Sequence, residues 1–286
     1  MSFNVTDYRT PGTQPRLLSP DLWHNCPIEF IQAGRVDGTY FFDDFVDTPV
    51  LSTTATTGRY TSYADTGGTI TAGAVVTGDS STGGVGILNI ATDGTDADEV
   101  WITLAGNTGA SFVVPATSTA DTAKKLWFEA RMTVDVVTDD YCHAFVGLCQ
   151  QGRALGDTLV DNTGALGDFD FLGFRILADD GDTMDFMYAK SSDSVDGTQV
   201  IAAAKTITAS TFFKIGFCYD PGAKPAERIS CWIDGVKQST YITQSATENT
   251  TLFPGGEELT LLAGHKNGTA NAVVMSLDWW ACAQLL

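Results

Sequence analysis

Charge is scarce in this chain, and positive charge scarcest. Charged residues fill 18% of its 286 positions, and 16 Lys and Arg face 35 Asp and Glu, a formal charge of −19. So acidic a body repels phosphate, which excludes nucleic acid as an expected partner. The same field either keeps a crowded protein soluble or suits a positively charged partner. Histidine occurs three times, as His24, His143 and His265. These share no His-x-x-x-His spacing, so a zinc site has little support. The six cysteines form no CxxC pair. Cys142, Cys149, Cys218, Cys231 and Cys282 sit in apolar runs and read as reduced core residues. No apolar run is long enough to cross a bilayer, so no membrane is expected. The start, from Met1 to Tyr8, shows no basic stretch followed by an apolar one. No signal peptide is therefore expected, and folding in a cytoplasm is.

Catalytic motifs are missing as well. There is no Gly-x-Ser-x-Gly elbow and no phosphate loop ending in Gly-Lys. Gly83-Gly84-Val85-Gly86 precedes a strand pattern and not a helix, so it fails the phosphate test. Asp168-Phe169-Asp170 would place two carboxylates on one side of a strand, as a glycosidase pair needs. A sandwich glycosidase would read Glu-x-Asp-x-x-Glu. Here the third place is Gly173 and no glutamate occurs in the stretch, so a strand entering from an acidic loop is the preferred reading. Calcium is the better metal candidate, through Asp93, Asp96, Asp98 and Glu99 in one loop or Asp179, Asp180 and Asp182 in another. Neither spacing matches a helix-loop-helix site, and no cofactor is expected. Trp101, Trp127 and Trp232 each oppose the more apolar set of their strand. They suit a sugar-stacking platform, but a core role under covering loops is preferred.

What is present is a strand pattern behind a short arm. In residues 1–39, Pro11, Pro15, Pro20 and Pro27 break any long element, predicting an extended arm. Ser19-Pro20-Asp21 offers an N-cap, a proline at N1 and an acid in the first turn, which predicts one helical turn through Leu22 and Trp23. The arm's apolar residues must be buried against its own domain or a neighbouring subunit. Residues 40–286 form the second region. Leu126, Phe128, Ala130, Met132 and Val134 alternate with Glu129, Arg131, Thr133 and Asp135, predicting a half-buried strand. Phe213 to Tyr219 repeats the pattern. Near the end Val273, Met275, Leu277, Trp279 and Ala281 share a face. Segments 85–91, 99–105, 141–149, 169–178, 184–190, 229–233 and 258–263 also read as strands. Asp234-Gly235 predicts a two-residue type I′ hairpin, and 179–182 a second turn. Gly/Thr/Ser-rich stretches at 52–84 and 105–122 separate strands.

Three segments resemble concanavalin A-like jelly rolls, the laminin-G and legume-lectin group. They are Phe213-Lys-Ile-Gly-Phe-Cys-Tyr-Asp with Ile229-Ser-Cys-Trp-Ile-Asp-Gly-Val-Lys, Leu126-Trp-Phe-Glu-Ala-Arg-Met leading to Ala144-Phe-Val-Gly-Leu, and Leu277-Asp-Trp-Trp-Ala-Cys-Ala-Gln. The resemblance implies an all-β jelly-roll sandwich preceded by an extended arm. Tyr40-Phe-Phe-Asp-Asp-Phe-Val, after a proline-containing arm, looks like versions found among tailed-phage virion proteins. That resemblance implies a non-enzymatic virion structural protein, a decoration or cement protein on the capsid's outer shell, assembled in a host cytoplasm. Its expected partners are the major capsid protein, other virion subunits and copies of itself. Arg16, Leu17, Leu18, Leu22, Trp23 and Phe30 are the arm residues expected to hold them. The alternative is a carbohydrate-binding or receptor-binding tail or fibre protein.

Overall fold

The computed structural model describes residues 17–46, 49, 51–52, 59–71, 86–104, 112–117, 124–156, 158–159, 168–177, 182–191 and 197–286. Three short α-helices are present among them, α1 (Pro20–Trp23), α2 (Ile28–Gln32) and α3 (Gln244–Thr247), with a 3-10 turn at Pro225–Glu227. The strands run β1 (Gly38–Asp43), β2 (Leu51–Ser52), β3 (Tyr60–Ala64), β4 (Thr69–Thr71), β5 (Leu88–Ala91) and β6 (Glu99–Leu104). They continue as β7 (Phe112–Val113), β8 (Leu126–Val134), β9 (Cys142–Gln150), β10 (Phe171–Ile176), β11 (Thr183–Ala189) and β12 (Thr198–Thr206). The last five are β13 (Phe213–Tyr219), β14 (Ile229–Ile233), β15 (Val236–Ile242), β16 (Glu258–Asn267) and β17 (Val274–Leu285).

Two sheets, antiparallel apart from the short β2–β3 pair, form a sandwich. Sheet A runs β15-β14-β13-β8-β17-β5-β4, with β1 also on β17. Sheet B runs β12-β11-β10-β9-β16-β6-β3-β2, with β7 also on β16. The main core lies between them and takes alternate residues of each strand, such as Phe128, Phe217, Phe174 and Phe186. Phe128 and Phe217 stack with ring centroids 5.0 Å apart. Each full aromatic burial of this kind stabilises by roughly 1.5–3 kcal/mol.

Several expectations meet the structure directly. Asp234 and Gly235 join β14 to β15 with φ of 51° and 77°, the double left-handed geometry of a type I′ turn. Most of the turn at 179–182 lies outside the described residues. All six cysteines are free thiols, five of them buried and Cys26 half-buried. The helical turn through Leu22 and Trp23 is present, but the arm is not simply extended, because α2 follows it. β8 is not half-buried. Glu129 is 1% exposed and Arg131 3%, because further chain covers the outer face of sheet A.

At β17 the alternation itself shifts. A register irregularity between Leu277 and Trp279 against β8 moves the inward set to Met275, Leu277, Trp280 and Cys282. Trp280, and not Trp279, therefore enters the main core. On sheet B, Gly147 and Gly173 oppose each other across β9 and β10. A Cβ on Gly147 would come within 2.6 Å of Gly173 Cα and 3.1 Å of Phe145 Cζ, so the paired glycines leave room for the Phe145 ring. Among the described residues no helix is long and apolar enough to cross a membrane.

Candidate functional site

Both outer faces of the sandwich are covered over their inner strands, while the edge strands β12 and β15 stay partly exposed. On sheet A, Trp127 of β8, Cys218 of β13 and Trp232 of β14 point away from the main core and pack with Leu22 and Trp23 of α1. The arm is anchored through Glu129. Its carboxylate accepts from Ser19 N (2.9 Å), from Trp23 Nε1 (2.8 Å) and from the Ser19 hydroxyl. Lys214 Nζ, 4.0 Å from Glu129, donates to Ser19 Oγ (2.7 Å) and Leu17 O (3.3 Å). Burial pushes the Glu129 carboxyl up, and the Ser19 hydrogen bonds oppose that push most. Ser19 stands at the N-cap of α1, yet its side chain makes no cap bond and serves Glu129 instead.

Beside this anchor lies a cleft of about 150 Å³. Asp21, Leu22, His24 and Asn25 of the arm form one wall. Trp127, Cys218, Ser230 and Trp232 form the floor, and Lys125, Asp220, Glu227 and Lys237 the rim. The rim charges are paired: Lys125 with Asp220 at 2.5 Å, and Lys237 with Glu227 at 4.0 Å. Lys125 Nζ also lies 5.6 Å from the Trp127 ring centroid, and Lys237 Nζ 5.6 Å from that of Trp232. Asp21 accepts from Trp232 Nε1 at 2.7 Å, which ties wall to floor. Chemically the cleft offers an apolar indole base, two rim lysine–carboxylate pairs that balance in charge, and one further carboxylate, Asp21, held by the Trp232 N–H.

The expected arm residues divide. Leu22 and Trp23 are buried against the chain's own sheet, and Leu18 packs on the same cluster. Leu17 is 73% exposed and Phe30 50%. Arg16 lies outside the described residues. Trp127 and Trp232, weighed as a platform, are 1% and 7% exposed, so they are floor and not an open stacking surface. Sequence alternation pointed to both, but nothing in it signalled the rim made by Lys125, Asp220, Glu227 and Lys237.

Sheet B is covered by chain following β9. Trp101, Phe145, Phe171 and Met187 pack under Ala154, Leu159 and Phe169. Glu99 accepts from Trp101 Nε1 (2.6 Å), Thr158 N (3.0 Å) and Lys266 Nζ (3.1 Å), and Lys266 also donates to Leu159 O (3.0 Å). Asp168 and Asp170 precede β10, so strand alternation does not set them side by side. Asp170 is buried, which raises its carboxyl, and it accepts from Ser191 N. The carboxylates offered for calcium separate too. Glu99 turns into the sheet-B pair and Asp96 is exposed. Asp98 hydrogen-bonds Asp93 and is pushed up to about 6, chiefly by burial. Asp179 and Asp180 lie outside the described residues. Among the described residues no group of three or more His, Cys, Asp or Glu is placed to hold a metal.

No protein-family model matches the chain, and no curated protein does. Solved structures do. The chain is similar to a Shewanella oneidensis MR-1 protein of unknown function, with TM-score 0.52 and 13% identity over 96% of this chain and 97% of that one. It is similar to peanut lectin, with TM-score 0.52 and 10% identity over 87% and 97%. It is also similar to the endo-β-1,4-glucuronan lyase of Trichoderma reesei, with TM-score 0.50 and 12% identity over 85% and 94%. The fold is that of the concanavalin A-like jelly rolls. At these identities the likeness speaks for the jelly roll alone. These three neighbours lend the expected virion origin no support.

Proposed function

We propose that the protein is a binding module that holds a neutral carbohydrate in the cleft between α1 and sheet A. The observation that carries this reading is the lining itself. Buried indoles form the floor, and charge-balanced Lys–Asp and Lys–Glu pairs line the rim. The indole edges that line the cleft offer apolar surface to the C–H groups of a sugar, and paired donors and acceptors suit its hydroxyls. On a chain of −19 the surrounding field disfavours an anionic sugar. The fold is shared with a lectin and a glucuronan lyase, so it is compatible with binding and with catalysis. Binding is the better reading of this cleft, because Asp21, Asp220 and Glu227 are each already held by an indole N–H or an ammonium. An array of neutral and anionic oligosaccharides probed with the full chain tests it. Neutral glycans should bind, and Asp220→Ala and Lys237→Ala should each weaken binding about tenfold or more. An array without neutral binders overturns the reading.

A second reading rests on the exposed apolar residues of the arm, Leu17 and Phe30. They suit a protein neighbour, as a decoration protein on a virion shell would need. Saturable co-sedimentation with undecorated shells, lost in a Leu17→Asp, Phe30→Asp double variant, would support it. A chain that ignores such shells would remove it.

A further inference from the structure

We infer that Ser19, Glu129 and Lys214 are positioning residues of the cleft, so that docking of the arm and occupation of the cleft form one linked equilibrium. The inference takes its ligand from the carbohydrate reading but its geometry from the arm alone. One wall of the cleft, Asp21 to Asn25, belongs to α1 and the residue pair after it. A four-residue helix has no independent stability in water, so this wall stands only where sheet A holds it.

The holding contact is specific. The Ser19 hydroxyl, which at an N-cap would ordinarily satisfy the helix's own N–H groups, is drawn off to Glu129 and Lys214. Trp23, the last residue of α1, adds its indole N–H to the same carboxylate. Both ends of the turn are therefore pinned to one buried charge on β8. The side chains of Lys214 and Glu129 are 2% and 1% exposed, so lifting the arm would also hydrate an ion pair. Gly216 lets the turn lie close. A Cβ there would stand 2.7 Å from Leu22 Cδ2. A ligand that contacts both wall and floor binds only the docked state and must stabilise it.

Cys218 reports the docked state without any ligand, since it lies in the floor and is 7% exposed. Its labelling by 5,5′-dithiobis(2-nitrobenzoate), resolved peptide by peptide, would be compared in the wild type, Ser19→Ala and Glu129→Gln. Cys149 and Cys231, fully buried elsewhere, serve as controls for an intact sandwich. Cys218 should label about tenfold faster in both variants, with the controls unchanged. Affinity for cellohexaose, maltohexaose and mannohexaose should fall by a similar factor. Cys218 labelling at the wild-type rate in Ser19→Ala overturns the inference whatever the sugars do. Faster labelling with unchanged affinity overturns the link between wall and ligand. Faster labelling in a protein whose wild type binds none of the three sugars leaves the positioning role standing and counts against the carbohydrate reading. Should Glu129→Gln fail to fold, Ser19→Ala decides, since Ser19 lies outside both sheets.

Discussion

On the outer face of sheet A, Glu129 accepts from a covering backbone N–H and an indole, while Lys214 donates to a covering carbonyl. On the outer face of sheet B, Glu99 and Lys266 do the same with Thr158, Trp101 and Leu159. The chemistry is shared, but the ownership of the parts differs. In sheet B the indole belongs to β6, and Glu99 and Lys266 face each other directly at 3.1 Å. In sheet A the indole belongs to the arm, and Lys214 reaches Glu129 only at 4.0 Å, with the Ser19 hydroxyl between them. Removing the cover from sheet B would leave a pair still complete. Removing it from sheet A would strip the carboxylate of three donors at once. The sheet-B pair is thus part of the sandwich, while the sheet-A pair is assembled by the arm.

The largest expected effect breaks this comparison by removing each cation. Lys266→Met leaves Glu99 buried without its ammonium and should destabilise by about 3–5 kcal/mol. Lys214→Met should cost about 1–3 kcal/mol, because the arm can lift and admit water to Glu129. Urea midpoints at constant m-value measure both. Equal losses would show that the two pairs are equivalent and would remove the distinction.

Why the sequence hid these pairs is a matter of range. The alternation of β8 is legible, and it places Phe128 and Met132 in the core. It also sends Glu129 to the opposite face, and nothing local tells a solvent face from a covered one. The cover arrives from Ser19, 110 positions away. The Asp234-Gly235 hairpin could be read because its requirement, two positive φ angles, is local. β12 was missed for the converse reason. It is partly exposed along its length, its register against β11 is irregular, and Ala203 sits at φ 48°. No alternation survives such bulges. The Trp279–Trp280 exchange has the same cause. For the cleft, the indoles of the floor were visible as a second face, whereas the rim joins side chains from separate parts of the chain.

A pH series sharpens the comparison with a group that belongs to neither cover. His265 neighbours Lys266 on β16, is fully buried and donates its Nε2–H to Ile90 O at 2.9 Å. Burial pushes its imidazole down from 6.5 to about 4. Between those values the unfolded chain binds a proton that the folded chain refuses. Stability conferred by the neutral ring is therefore present above pH 6.5 and lost as the pH falls toward 4, by about 3 kcal/mol. Glu99 and Glu129 work the other way, since burial raises them and the folded state holds their protons more readily. His265→Gln should flatten the acid-side loss in urea midpoint between pH 6.5 and 4 relative to the wild type. A slope unchanged by the substitution would assign that loss to other groups.

The smallest effect is also the most discriminating, because it removes one equivalent hydrogen bond from each face. Trp23→Phe and Trp101→Phe each delete a single indole N–H donated to a buried carboxylate, worth about 1–3 kcal/mol. Trp101 is fully buried in β6 and shares the cooperative unfolding of the sandwich, so its loss should appear in the urea midpoint. Trp23 belongs to a helix of four residues held from outside, so its loss should appear as faster amide exchange over residues 19–26 while the midpoint barely moves. If both substitutions shift the midpoint alike, the arm unfolds with the sheets and the cleft wall is as permanent as its floor. If only Trp101→Phe does, the arm is a separate unit whose docking a ligand in the cleft can favour.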